Sequence, residues 1–364
     1  MQGSTAIPRH AVGTDPDEHR PVPGAVRARA GKGLFILSTC LLALSLGGCG
    51  GGGGGGGGSS VITPPPPVPA PPPAPPPTPA PPPTGGFDDA EFNASIWNVV
   101  NMALPAFEAG ATGRGVTIAI IDSGVSAADS EFAGRLTTLG HSVVQDSHGN
   151  IVAGIAAGAR NGRGAMGVAF EANILSYNTQ RCSSDCFHSM DDVAEAVDDA
   201  VRRGARVINL SLVGGFSREP LLSALSRATG AGVIVVIAAG NNGGSHPEGF
   251  ALQNAQFTNS RLLIIAGGHD ANGQVASATS RAGDGAQWYL SAYGGATSFS
   301  APVVSGAAAL LAASFPNLSG HQIATILLET ANDAGAPGQD PVYGNGILNI
   351  GRAYERARQV AAGN

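Results

Sequence analysis

The chain has 364 residues and a formal net charge of -6 at pH 7, with 20 lysines and arginines against 26 aspartates and glutamates. That balance offers no basic surface for nucleic acid, and none of its glycine-rich stretches has the spacing of a phosphate-binding loop. Many of its 54 glycines and 26 prolines lie before residue 87, which separates a low-complexity amino-terminal quarter from a globular remainder.

Residues 1–48 read as a signal peptide of the lipoprotein type with a long amino-terminal region. Residues 34–46, LFILSTCLLALSL, form an apolar run preceded by Arg27, Arg29 and Lys32, and the run is too short to span a bilayer as a helix. The next residues, Leu46-Gly47-Gly48-Cys49, resemble the bacterial lipoprotein processing box, in which cleavage before the cysteine leaves it as a lipid-modified amino terminus. That resemblance makes Cys49 the lipidation site; an ordinary signal peptide with a chance cysteine is the alternative. Stable anchoring needs more than one acyl chain. Gly50, rather than an aspartate, follows the cysteine, which by resemblance to Gram-negative lipoproteins favours the outer membrane, with a Gram-positive surface second. The upstream region, residues 1–33, is long for a signal peptide, so the true start codon stays open.

Residues 49–86 are a spacer. Residues 50–58 are an unbroken glycine tract and must be flexible, whereas residues 64–83 are mostly proline and predict a polyproline II rod. At about 3.1 Å per residue the rod reaches roughly 60 Å, which would hold the following domain clear of its membrane. A proline-rich ligand for a small recognition domain is the alternative.

Residues 87–364 have the composition of one globular domain. VTIAII at residues 116–121 is a continuous apolar run rich in β-branched residues, which suits a strand buried on both faces of a parallel sheet, and Asp122 follows at its carboxyl end. His148 opens HGNIVAGIAAG, where Gly149 and Gly154 allow a helix to pack closely. NILSY, RVINLSL, VIVVIAAG and RLLIIAGG are further strands, alternating with helical stretches such as MDDVAEAVDDAVRRG and SREPLLSALSRATG. The alternation predicts an α/β fold, a mostly parallel sheet with helices on both faces. Asn241 follows its strand directly, and Ser298 sits at the start of the buried helix APVVSGAAALLAASF, near the positive end of the helix dipole. Of four cysteines, Cys40 leaves with the signal peptide and Cys49 is acylated. Cys182 and Cys186 remain, and in an oxidising compartment they close a small disulfide loop. The metal-site alternative would recruit His188 but lacks an evident fourth ligand.

An acid, a base and a hydroxyl in these positions have a chemical logic. A serine hydroxyl is a weak nucleophile at neutral pH and needs a base in hydrogen-bond reach, and that base needs a third group to fix its tautomer. Ser298 is the candidate nucleophile, His148 the base and then acid, and Asp122 the orienting carboxylate.

IAIIDSGV, SHGNIVAG, IAAGNNG and GATSFSAP, in that order, resemble the subtilisin family of serine proteases. The resemblance implies a three-layer subtilisin-like fold, a serine endopeptidase, and an oxyanion hole formed by the Asn241 side chain with the Ser298 backbone N–H. It implies that the peptide substrate is bound as an added strand along RVINLSL, with Ser211, Leu212 and Gly214 as binding residues; Val213, an extra residue before the glycines, reshapes one wall of the specificity pocket. The layout is similar to the protease passengers of Gram-negative lipoprotein autotransporters, but the chain stops at Asn364 without their β-barrel. Three departures stand out: Asn150 in place of threonine, Ala296 in place of glycine, and a short connection, SAYGGA, before Thr297. They leave a surface-tethered binding protein, with the fold but without turnover, as the alternative class; an esterase fits less well because Ser298 lies outside a G-x-S-x-G elbow. The expected partners are polypeptide substrates and, through the lipid, a membrane of the cell envelope or surface, with a monomeric chain. No cofactor is expected; the family often holds structural calcium, but no acidic series here marks a metal site.

Overall fold

The apolar run before Asp122 forms the first strand, β1 (Thr117–Asp122), and Asp122 is its last residue. The computed structural model describes residues 86–142, 144, 146–182 and 186–363, so the expectations for the signal peptide, Cys49 and the spacer lie outside the described residues. The other strands are β2 (Leu136–Gly140), β3 (Asn173–Asn178), β4 (Gln180–Cys182), β5 (Cys186–His188), β6 (Val207–Leu210), β7 (Ile234–Ala238), β8 (Leu263–His269) and β9 (Tyr289–Tyr293). Seven of these make one sheet in the order β2-β3-β1-β6-β7-β8-β9, with every neighbouring pair parallel. β4 and β5 form a separate antiparallel hairpin.

Alternate residues of each strand face opposite sides, and both sides are apolar. Ile118, Ile120, Val207, Ile234 and Val236 enter one core, while Ala119, Ile121, Ile208, Val235 and Ile237 enter the other. The continuous hydrophobic runs in the sequence follow from this double burial. The first core lies under α4 (His148–Ala157), α8 (Thr297–Ser314), α9 (Gly320–Glu329) and α10 (Ile350–Ala361). The second lies under α5 (Met190–Arg202), α6 (Glu219–Gly230) and α7 (Gly249–Thr258). Three short helices, α1 (Ala90–Ala94), α2 (Ile96–Val100) and α3 (Leu104–Glu108), precede β1. The architecture is the expected three-layer α/β fold.

Two close approaches position the site. A Cβ on Gly306 of α8 would lie 2.6 Å from Val168 Cβ and 2.9 Å from Ala156 O, so the small residue lets α8 press against α4. A Cβ on Gly149 would collide with the carbonyl oxygen of Gly124, so only glycine lets the first turn of α4 sit against the loop leaving β1. α8 is long and apolar enough to cross a membrane, but 83% of that stretch is buried here, as in a core helix. The sheet order reverses at β1, whose neighbours β3 and β6 lead the chain in opposite directions. In open α/β sheets the carboxyl ends at such a switch point are where ligands bind.

Candidate active site

Asp122 ends β1 fully buried, and its Oδ1 accepts from the Ser123 backbone N–H at 2.7 Å. The same oxygen bonds His148 Nδ1 at 2.8 Å, with His148 supplied by the first residue of α4. A carboxylate on Nδ1 fixes the tautomer in which Nε2 is the free acceptor. The hydrogen bond from His148 to Asp122 raises the imidazole's pKa above its ordinary value against the opposing effect of burial, and the charges of Asp122 and Asp146 add to the rise.

Ser298 is the second residue of α8 and is 7% exposed. Its Oγ has no hydrogen-bond partner among the described residues. The His148 ring nevertheless faces Phe299, the next residue, with centroids 5.7 Å apart. Catalytic hydrogen bonds are often long before substrate is bound and close in the complex. The Ser298 backbone N–H lies in the first turn of α8, where helix geometry leaves it without an intrahelical partner.

Asn241 follows β7, and its Oδ1 accepts from the Thr297 backbone N–H at 2.8 Å. A backbone N–H can only donate, which fixes the oxygen end of this amide and leaves its N–H2 end for another acceptor. The candidate oxyanion donor thus adjoins Ser298 through the residue that precedes it.

The cleft segment is shorter than its sequence pattern suggested. Only Val207–Leu210 is strand, paired with β1 on one side and β7 on the other, so it has no free edge. Residues 211–214 lie beyond the end of the strand. Ser211 and Leu212 are buried, and Ser211 Oγ donates to the Ser298 carbonyl at 2.8 Å. Their side chains are therefore structural, whereas Val213 beside them is exposed. The Gly214 carbonyl already accepts from Phe250 N–H at 3.1 Å.

Several supporting residues were not among the sequence candidates. Asp146, two residues before His148, accepts from Ser123 Oγ at 2.6 Å, from His148 N–H at 2.8 Å and from Gln180 Nε2 at 2.8 Å. Burial opposes its charge, but these donors together with His148 hold its pKa below the ordinary carboxylate range. On the other side, Ser305 Oγ donates to Asn209 Oδ1 at 2.9 Å and Asn209 Nδ2 to Ser211 Oγ at 2.9 Å, a buried chain that ends at the Ser298 carbonyl.

Two of the sequence departures are accommodated. Asn150 accepts from Ser126 N–H and donates to Asp129 Oδ2, both at 2.8 Å, tying α4 to the loop after β1. Ala296 has φ -122 and ψ 143, an extended backbone that does not require glycine. The third departure is visible as a connection of only Gly294, Gly295 and Ala296 between β9 and α8. Cys182 and Cys186 are joined in a disulfide that closes the β4–β5 hairpin, so neither sulfur is a metal ligand. His188 instead pairs its Nδ1 with Thr179 Oγ1 at 3.0 Å, and burial lowers its pKa. A cavity of about 560 Å³ between Met102 and α10 contains none of the candidate residues.

The Subtilase family model matches residues 113–346, a span that contains Asp122, His148, Asn241 and Ser298. The chain belongs to the subtilase family. Among curated relatives, Subtilisin DY of Bacillus licheniformis is 30% identical over 266 residues, covering 68% of this chain and 93% of its own. Subtilisin Savinase of Lederbergia lenta is 32% identical over 274 residues, covering 70% and 96%. Among solved structures, a protease domain of PatA superposes with a TM-score of 0.60 at 23% identity, covering 69% of this chain and 98% of that one, a likeness of fold. This subtilase is a subtilisin-like serine endopeptidase, and polypeptides are its substrates.

Proposed function

We propose that this subtilase cleaves proteins of the cell envelope or surface through an acyl-enzyme on Ser298, tethered by lipid on Cys49. His148 takes the hydroxyl proton as Ser298 attacks the scissile carbonyl and returns it to the leaving amine, releasing the new amino terminus. Asp122 holds the imidazole and stabilises its charged form. The Asn241 amide and the Ser298 backbone N–H receive the oxyanion. Water, activated by the same imidazole, then hydrolyses the ester and frees the enzyme.

The observation that carries this reading is the 2.8 Å contact between buried Asp122 Oδ1 and His148 Nδ1, beside an Asn241 amide whose oxygen is already bound. A fluorophosphonate probe tests it. Labelling of the wild type and not of Ser298→Ala supports the enzyme; a folded, unlabelled wild type supports a binding protein that has kept the fold.

The tether is supported by the Leu46-Gly47-Gly48-Cys49 sequence and the spacer that follows. In a bacterial host, palmitate incorporation that disappears in Cys49→Ser is the expected result. A mutant that remains fully acylated overturns the anchor and leaves the peptidase assignment untouched.

A further inference from the structure

Beside the Asn241 loop lies a cavity of about 430 Å³ bordered by Gly214, Asn242, His246, Glu248 and Gly249. Gly214 lies in the irregular segment that joins β6 to α6, and Asn242 follows the candidate oxyanion donor. The cavity therefore lies between the two stretches of chain that flank a carbonyl held at Asn241 and Ser298. A peptide residue's side chain branches from the carbon next to its carbonyl, so the residue on the acyl side of the scissile bond has this depression within reach. The volume falls in the ordinary range for a ligand site.

Glu248 is the only carboxylate on the wall among the described residues. It is the N-cap residue of α7, but its side chain makes no cap bond. It turns back instead: Oε1 accepts from the Asn241 backbone N–H at 2.8 Å, and the carboxylate packs on Gly240, where a Cβ would come within 2.7 Å of Oε1. No lysine, arginine or histidine makes an ion pair with it among the described residues. Half-buried, with one oxygen satisfied by a neutral donor, such a group gains most from a cation brought to its second oxygen. Phe216, 79% exposed, lies against Gly249, 3.2 Å from where its Cβ would be, and adds an apolar surface at this wall. Lysine and arginine bury their aliphatic stems against such surfaces while their charged ends find a carboxylate. His246 is exposed at the same wall.

We propose that this cavity receives the side chain on the acyl side of the scissile bond and that Glu248 makes it select lysine or arginine there. The assignment rests on the placement of Ser298 and Asn241 given under Proposed function. Glu248 acts on the substrate's charge and, through the Asn241 N–H, on the position of the donor, and the two roles are separable. Glu248→Gln keeps an acceptor for that N–H and removes only the charge.

The test is a set of peptides that differ only in this residue: lysine, arginine and norleucine, the last an uncharged analogue of lysine. The full chain is expected to cleave the lysine peptide with kcat/KM about tenfold or more above the norleucine peptide, between the effect of an exposed ion pair and that of a buried one. In Glu248→Gln the ratio should fall to near one. A wild type that prefers norleucine, or a ratio unchanged by Glu248→Gln, overturns the proposal. A second measurement needs no variant: an alkylguanidinium ion should compete with the lysine peptide, and the matching neutral alkylurea should not; equal inhibition overturns it. A chain labelled by fluorophosphonate that shows no charge preference loses this assignment alone. A chain that neither labels nor cleaves any peptide loses the catalytic reading as well.

Discussion

Thr297 holds the Asn241 side-chain oxygen from two directions, with its backbone N–H at 2.8 Å and its hydroxyl at 3.1 Å. The residue that immediately precedes the proposed nucleophile, Ser298, thereby orients the amide that would receive the oxyanion. Asn241→Ala is expected to lower kcat by about a hundredfold to a thousandfold with little change in KM, the scale on which loss of one oxyanion donor slows acyl transfer. Thr297→Val keeps the backbone bond but removes a hydroxyl that also accepts from the Gly240 N–H at 3.1 Å, so its loss should be about tenfold to a hundredfold, the cost of a lost hydrogen bond and an unpaired buried donor. Steady-state kinetics on one peptide compare the two; a larger effect from Thr297→Val than from Asn241→Ala would contradict this geometry.

The raised pKa of His148 has opposite consequences for rate and for stability. Only neutral imidazole can take the Ser298 proton, so kcat/KM should climb with pH, and its acid limb should lie above the ordinary histidine value of about 6.5. The folded state favours the imidazolium, so that contribution to stability is fully present below about pH 6.5 and fades as pH rises through the raised folded value. Asp122→Asn removes the chief cause of the shift. It should move the acid limb down and cut kcat by about ten-thousandfold. A pH–rate profile whose acid limb does not move in this variant would disprove the coupling.

Asp122, His148, Asn241 and Ser298 were legible because each ends a continuous apolar run or opens a small-residue helix. A parallel sheet covered on both faces brings such ends to one edge. The limits of the reading are equally physical. Asp146 and Gln180 follow no spacing rule, because they meet only when the β4–β5 hairpin folds back on the loop before α4. Asn209 and Ser305 are 96 residues apart and look like ordinary polar interruptions of an apolar strand and helix. The pattern of RVINLSL continues through Leu212, but the strand stops at Leu210 because Ser211 turns to the Ser298 carbonyl. The preference for glycine at position 296 could be tested only against a backbone, and that backbone is extended.

Asp146 binds three donors from three parts of the chain, and one of them is the backbone N–H of His148 itself. It also adds to the rise in the His148 pKa. Asp146→Asn retains acceptor oxygen but no charge, so it should shift the acid limb of the kcat/KM profile downward while largely preserving the limiting rate. Asp146→Ala removes the anchor as well, and should lower the limiting rate by up to about tenfold, the scale of a neutral hydrogen bond, because Ser123 Oγ and the His148 N–H lose their acceptor. Identical profiles for the two variants would mean that Asp146 acts through packing alone.

The Cys182–Cys186 disulfide closes a loop with a sequence separation of four, for which chain entropy gives a stabilisation of only about 2 kcal/mol. The hairpin that it closes has other attachments. The Arg181 guanidinium makes two 2.7 Å bonds to the Asp192 carboxylate at the start of α5, and Gln180 reaches Asp146. Arg181 draws the Asp192 pKa down to about 2, so the ion pair persists through the working pH range. The double variant Cys182→Ser, Cys186→Ser should therefore lose no more than about 2 kcal/mol in denaturant melts, and should keep its fluorophosphonate labelling. If labelling disappears while the melt stays cooperative, the disulfide itself, rather than the ion pair and the Gln180 bond, holds the hairpin against His148.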